Sequence, residues 1–339
     1  MSATIVNRQI TLASRPLGLP RVSDFQLTYS PMPSPGAGEV LVRSIYLSLD
    51  PYMRGRMSEA DSYAPPMAIG EVMTGGVVAR VVESLDPGLC AGDAVEGMLG
   101  WQEYAVVPGS ALRKIDPRQA PISTALGVLG MPGLTAYFGL LDICDPQRGE
   151  TVVVSGAAGA VGMVVGQLAR IRGCRVVGIA GSDAKSAWLL DELGFDAAIN
   201  HRSNGDLGEA LERACPDGID VYFDNVGGVV TDTVVQRIND HARISACGQI
   251  SQYNLKQPEL GPRWLGQLIL RQARAEGFLI FSYAERFPEG LERLANWLKR
   301  GDLRYREDVA QGLEAAPQAF IGMLQGRNQG KQLVQLSEP

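Results

Sequence analysis

Val152-Val153-Val154-Ser155-Gly156-Ala157-Ala158-Gly159-Ala160-Val161-Gly162 carries the most readable chemistry in this 339-residue chain. An apolar run enters a glycine-rich turn, an amphipathic segment follows from Met163 to Arg172, and a second apolar run begins at Arg175. A dinucleotide-binding βαβ unit needs that order. Ala157, Gly159 and Gly162 hold the spacing of the glycine fingerprint, with alanine in its first place, and Ala160 and Val161 lead into the helix. Such a turn brings backbone N–H groups to a pyrophosphate at the helix N-terminus. The second run ends in Ala180-Gly181-Ser182-Asp183-Ala184-Lys185. An acid that would hold free ribose hydroxyls is missing from the end of that strand. Gly181 leaves room, Ser182 can donate a hydrogen bond and Lys185 brings positive charge, which suits a 2′-phosphate. The cofactor indicated is NADPH rather than NADH. Ser182 equally fits a helix N-cap and Lys185 a surface lysine. Asp183 is expected to face solvent in the first helical turn, where an acid is favourable.

Metal chemistry has little to work with. The five cysteines, Cys90, Cys144, Cys174, Cys215 and Cys247, are scattered and contain no C-x-x-C pair, and the only histidines are His201 and His241. Neither a zinc site nor a disulfide framework is indicated. A net charge of −6 argues against a nucleic-acid binder. No apolar run has the length of a bilayer span, and the first residues lack a signal-peptide pattern. A cytoplasmic protein is the expectation.

These residues must be positioned by two kinds of structure. Up to about Gln119, short β-type runs such as Val40–Val42, Gly76–Val82 and Glu103–Val107 are punctuated by Pro and Gly, as in a small, partly closed β-barrel. Ile122–Leu141 reads as helical, interrupted at Pro132-Gly133. From Thr151, strands alternate with helices, giving a doubly wound parallel sheet. Its strands are expected at Thr151–Ser155, Arg175–Ala180, Ala197–Ile199, Val221–Asp224, Arg243–Ala246 and Gly277–Phe281. The tail, a helix, a strand-like turn, a helix and a final strand over Gln332–Leu336, returns to the character of the first part. The expected organisation is a first domain of residues 1–125 plus 300–339, with residues 126–299 inserted as the dinucleotide-binding domain.

Several motifs in this order resemble the medium-chain dehydrogenase/reductase superfamily over essentially the whole chain. Pro35–Val42 and Gly92–Gly97 are similar to its GroES-like barrel domain. Leu47–Met57, Gly130–Tyr137, Tyr222–Gly228, Cys247–Asn254 and Asn328–Lys331 resemble its zinc-free branch, which holds the prostaglandin, alkenal and curcumin reductases. Asp50 and Gly70-Glu71-Val72 stand where the zinc enzymes carry Cys and His. The resemblance implies a Rossmann sheet inserted into a GroES-like domain. It also implies a cytosolic homodimer, and reduction by NADPH of a carbon–carbon double bond conjugated to a carbonyl.

Hydride addition to the β-carbon of an enone or enal builds negative charge on the carbonyl oxygen, so the site needs a donor there and no competing water. The resemblance places a tyrosine at Tyr253. A protonated phenol suits the role, with the nicotinamide ribose hydroxyl as the other candidate donor and a pocket-capping aromatic as the plainer reading. Tyr52 is a candidate for the substrate pocket or a barrel aromatic. Arg54 and Arg56 attract an anion or form a solvated turn. Met131, Thr135, Asn225, Cys247, Phe278, Leu279, Ile280 and Asn328 match positions around the cofactor. His201 stands where the family commonly has tyrosine beside the 2′-phosphate. When protonated, it would make NADPH affinity pH-dependent. Loops near Ser58–Met67 and Leu255–Pro262 set the pocket's shape. A quinone reductase and a non-catalytic NADPH-binding protein are the alternatives.

Overall fold

The computed structural model describes residues 6–203 and 205–339. The chain opens with β1 (Val6–Leu12) and β2 (Phe25–Pro31), an antiparallel pair. There follow β3 (Glu39–Ser48), α1 (Tyr52–Arg56), β4 (Gly76–Ser84), β5 (Ala94–Met98), β6 (Tyr104–Pro108) and β7 (Arg113–Lys114). The middle of the chain runs α2 (Met131–Leu141), β8 (Thr151–Ser155), α3 (Gly162–Ile171), β9 (Arg175–Ala180), α4 (Asp183–Asp191), β10 (Ala197–Asn200), α5 (Leu207–Ala214), β11 (Ile219–Asp224), α6 (Gly228–Val235), β12 (Ile238–Ala246), α7 (Leu265–Leu270), β13 (Arg274–Gly277) and α8 (Phe287–Arg300). It ends with β14 (Glu307–Gln311), α9 (Ala316–Leu324) and β15 (Lys331–Gln335). Two compact units result. Residues up to Leu126 join with Glu307–Pro339 in one, and Gly127–Arg306 form the other.

The first unit is built on β3. Its first half, Glu39–Arg43, pairs with β6 and its last residues, Tyr46–Ser48, pair with β15, while β4 lies along the other side. That mid-strand change of partner curls the seven-stranded sheet into a partly closed barrel. Trp101 is fully buried, stacked on Phe25 at 5.6 Å and met edge-on by Phe320 at 5.7 Å.

The second unit is a six-stranded parallel sheet in the order β10-β9-β8-β11-β12-β13. Strand order reverses between β8 and β11, so the crevice for a ligand opens at their carboxyl ends. Val152, Val153 and Val154 are all fully buried, as a central parallel strand requires. Leu211 of α5 and Val230 and Val234 of α6 pack with Val153, Val177, Ile199, Tyr222 and Ile244. α3 lies against β8 and β9, and α2 packs on α3 and α8.

Several boundaries differ from the sequence pattern for identifiable reasons. Ile122–Leu126 is a separate 3-10 turn, and Pro132 sits in the first turn of α2 rather than interrupting a helix, where its missing N–H costs nothing. The last strand of the sheet is Arg274–Gly277 instead of Gly277–Phe281, and all four of its residues are exposed. The apolar run Phe278-Leu279-Ile280 that mimics a buried strand turns away, and Ile280–Arg286 is a 3-10 helix. The second unit also keeps residues 300–306: the Gln167 amide donates to Arg304 O at 2.8 Å and accepts from Arg304 N at 2.7 Å.

Phe278 is held over α2. A Cβ on Gly139 would stand 2.5 Å from the Phe278 ring and 2.9 Å from Phe223. Gly139→Ala is therefore expected to destabilise the protein by about 1–3 kcal/mol, the usual cost of overpacking. The check is a lower urea midpoint with an unchanged slope.

Candidate active site

The turn after β8 owes its shape to two glycines. Gly156 takes φ +59°, and a Cβ on Gly162 would lie 2.4 Å from Gly156 O. Gly159 is less confined, meeting only Gly156 O at 3.2 Å. Ala157 is fully buried with its N–H on Ile179 O, so it fastens the turn to β9. Val161 precedes α3, and no side chain caps the helix's first N–H groups. Those groups, with Ala160 and Val161 half-buried beside them, are what a pyrophosphate requires.

At the end of β9, Ser182 is the N-cap of α4, accepting from Lys185 N at 3.3 Å. A Cβ built on Gly181 would stand 3.4 Å from Arg202 Nε and 3.6 Å from His201 Nε2. Two cationic-type side chains therefore overhang the glycine beside Ser182 and Lys185. Arg202 escaped the sequence reading, although it adjoins His201; the available signal was a basic residue just past the β10 strand. Asp183 does not simply face water. Its carboxylate accepts from Asn200 Nδ2 at 2.7 Å and from Ser203 Oγ at 3.2 Å, which ties α4 to the β10 loop. The uncapped helix, the space-forced Gly162 and the Arg202 guanidinium over Gly181 together fit NADPH.

Burial, and then the Arg202 guanidinium, hold the His201 pKa below its ordinary value. The imidazole is thus neutral at pH 7, and a nearby dianion would draw a proton onto it. NADPH affinity is expected to rise relative to a His201→Phe variant as pH falls and the imidazole takes up its proton beside the phosphate. Comparing wild type with variant cancels the phosphate's own titration. Equal pH slopes by fluorescence titration would remove His201 from the phosphate site.

At the reversal point, Asp224 ends β11 only 2% exposed. Its Oδ1 accepts from Ser155 Oγ (3.0 Å), Tyr222 Oη (2.9 Å) and the N–H groups of Val226 and Gly227 (both 3.0 Å); its Oδ2 accepts from Thr231 Oγ1 at 2.5 Å. Asn225 donates its backbone N–H to Ser155 Oγ and its side-chain amide to Ser155 O, at 2.9 and 2.8 Å. The backbone N–H groups of Cys247 and Gly248 both reach Asp224 O. One carboxylate thus fixes the loop carrying Asn225, and its carbonyl fixes the loop leading to Tyr253. Four of the five donors to that carboxylate lie within residues 222–231, and the fifth, Ser155, comes from a strand 69 positions away, a pairing that no spacing in the sequence announces.

Tyr253 is half-buried. Its Oη accepts the Gln249 N–H at 3.1 Å, so that bond does not use the phenolic proton. Burial is the main force raising its pKa, opposed by that N–H and reinforced by Cys247 and Asp224. The phenol is therefore protonated at neutral pH. Burial, with the charge of Asp224, pushes the Cys247 thiol up to about 12, so it is no nucleophile. In α2, Thr135 Oγ1 donates to Met131 O at 2.7 Å. The loop over residues 255–262 borders a groove of 220 Å³ shared with Asp232, Gln249, Gln252 and Trp264.

Two of the expected site residues belong to the first unit. Tyr52 is half-buried in α1 and shares a hydrogen bond with Thr74; burial, then Asp50, raises its pKa. Asn328 donates to Gly330 O at 2.8 Å. Arg54 does not form a solvated turn: it is 5% exposed and donates to Pro16 O and Gly18 O at 3.1 and 2.9 Å. Among the described residues, no group of three or more His, Cys, Asp or Glu side chains is placed to hold a metal ion.

Comparison with known proteins gives the family. Residues 8–115 match a family described as the N-terminal domain of oxidoreductase, and residues 160–296 match one described as zinc-binding dehydrogenase. The chain is 46% identical to the NADPH-dependent curcumin reductase of Escherichia coli (strain K12), over 98% of this chain and 97% of that protein. It is 46% identical to the NADP-dependent 2-alkenal reductase of Nicotiana tabacum, over 99% of each. The crystal structure of CurA from Vibrio vulnificus in complex with NADPH shares 48% identity and a TM-score of 0.94, covering 98% of this chain and 100% of that one. The fold and site define a medium-chain dehydrogenase/reductase. Within that superfamily, the chain belongs to the group of the curcumin, alkenal and prostaglandin reductases.

Proposed function

We propose that this protein reduces the carbon–carbon double bond of α,β-unsaturated aldehydes and ketones with NADPH. The observation that carries the reading is Tyr253, a protonated phenol whose oxygen is held by the Gln249 N–H beside the carboxyl edge of a dinucleotide sheet. NADPH, when bound, supplies the hydride for the β-carbon. The turn from Gly156 to Gly162 and the α3 N-terminus hold the pyrophosphate; Ser182, Lys185, His201 and Arg202 hold the 2′-phosphate. Asn225, Cys247, Met131, Thr135, Asn328 and the backbone of Phe278, Leu279 and Ile280 complete the cofactor surroundings. Tyr253 donates to the carbonyl oxygen as negative charge builds there, and Tyr52 lines the substrate pocket. The chemistry needs no metal, and the protein works in the cytoplasm.

The test is NADPH consumption against enals, enones and quinones, with NADH in parallel. Saturated carbonyl products and a strong NADPH preference support the reading. Turnover of quinones alone makes the protein a quinone reductase, and tight NADPH binding without turnover makes it a binding protein.

The supported assembly is a homodimer. β13 is the outer strand of its sheet, its four residues are exposed, and an uncovered strand edge invites pairing. Exposed Ile269, Leu270 and Phe281 lie in the neighbouring segments, whereas Trp264 packs against its own core. Light scattering should give the dimer mass, and Ile269→Asp with Phe281→Asp should give the monomer mass.

A further inference from the structure

Lys331 is 1% exposed, among the largest fully buried side chains of the protein. An ammonium rarely tolerates such a place without partners fixed around it. Its Nζ donates to Asp50 Oδ1 at 2.6 Å and to Leu49 O at 2.8 Å. Asp50 is itself buried, and its second oxygen takes a hydrogen bond from Ser48 Oγ. Leu49 N donates to Gln332 O, and Met53 N donates back to Asp50 O. The first residues of β15 therefore hold two successive residues just ahead of α1. Arg54 fastens the other side of that helix to the carbonyls of Pro16 and Gly18. Tyr52 lies between these two ties. Glu307, the register partner of Lys331 in β14, is the other acid facing the ammonium; burial raises its pKa, and Ser123 hydrogen-bonds to it.

We propose that the buried Lys331–Asp50 pair is a positioning device for Tyr52: the final strand sets the backbone from which α1 presents the phenol to substrate. This rests on the reading of Tyr52 as a substrate-pocket residue. A pair kept only for folding should be replaceable by an uncharged one, since buried ion pairs are often matched in stability by neutral groups. A positioning pair should not be.

The experiment compares wild type, Asp50→Asn, Lys331→Met and the double variant, each with Tyr52 and with Tyr52→Phe. Both single variants should lose thermal stability by leaving one buried group unpaired, and the double variant should regain most of it. The refolded double variant should still show a KM for an enone raised about tenfold, with NADPH affinity by fluorescence unchanged. Tyr52→Phe should add its full effect in wild type and little in the double variant, which is the mark of coupled residues. Native KM in the stable double variant, or additive effects of Tyr52→Phe, would overturn the proposal. If wild type reduces no enone, the functional reading fails separately. The same cycle read in thermal midpoints then tests the coupling: additive shifts overturn it and non-additive shifts uphold it.

Discussion

Tyr253→Phe is expected to lower kcat for an enone by about a hundredfold, the usual cost of removing one donor to a developing oxyanion. The substitution keeps the ring and its half-burial and removes only the hydroxyl. NADPH binding, which rests on other residues, should change less than twofold. Loss of the hydroxyl also leaves the Gln249 N–H without its acceptor. For that reason the thermal midpoint should be measured alongside, and the kcat loss should stand with the fold intact. Loss of turnover shared equally with NADPH affinity would mean that the loop, rather than the proton, had been disturbed. An unchanged kcat would hand the donor role to the cofactor's ribose hydroxyl.

The second large effect is on cofactor choice. Lys185→Ala with Arg202→Ala should weaken NADPH binding by about 10²–10³-fold, because each removes a charge-assisted contact. NADH lacks the phosphate, and its affinity should hold within about twofold. Isothermal titration with both nucleotides reads the ratio directly, and rising salt should narrow the wild-type difference. Equal losses for the two nucleotides would mean that these cations act on the fold or on the pyrophosphate. The 2′-phosphate site would then have to be sought elsewhere.

The dinucleotide half was legible because its signals are local. Three consecutive valines before a glycine-rich turn leave few alternatives to a central strand and a phosphate loop, and β8 and α3 lie there. The edge of the same sheet was misread. Apolar residues at 278–281 look like a buried strand, yet Phe278 packs over Gly139 while Leu279 and Phe281 face outward. Sequence shows that such a run is apolar but not which neighbour accepts it. Polar partners were harder still. Arg54 reads as a surface charge until backbone carbonyls at Pro16 and Gly18 come within reach. Asp183 reads as solvent-facing until Asn200 and Ser203 close on it. Lys331 owes its role to Asp50 and Asp224 completes its cluster with Ser155, pairings across 281 and 69 positions that carry no spacing signature.

The first unit's sheet has a consequence for how the protein is made. β15 lies between β14 and β3, and Lys331 meets Asp50 across 281 positions of sequence. During synthesis β3 can pair with β4 and β6 early, but its last residues, Tyr46–Ser48, must wait for β15, while Gly127–Arg306 can close on itself in the meantime. Residues 6–126 will therefore spend translation with an open strand edge and an unpaired Asp50. That interval is when a chaperone would be needed most, and a ribosome stalled before residue 331 would leave an aggregation-prone product.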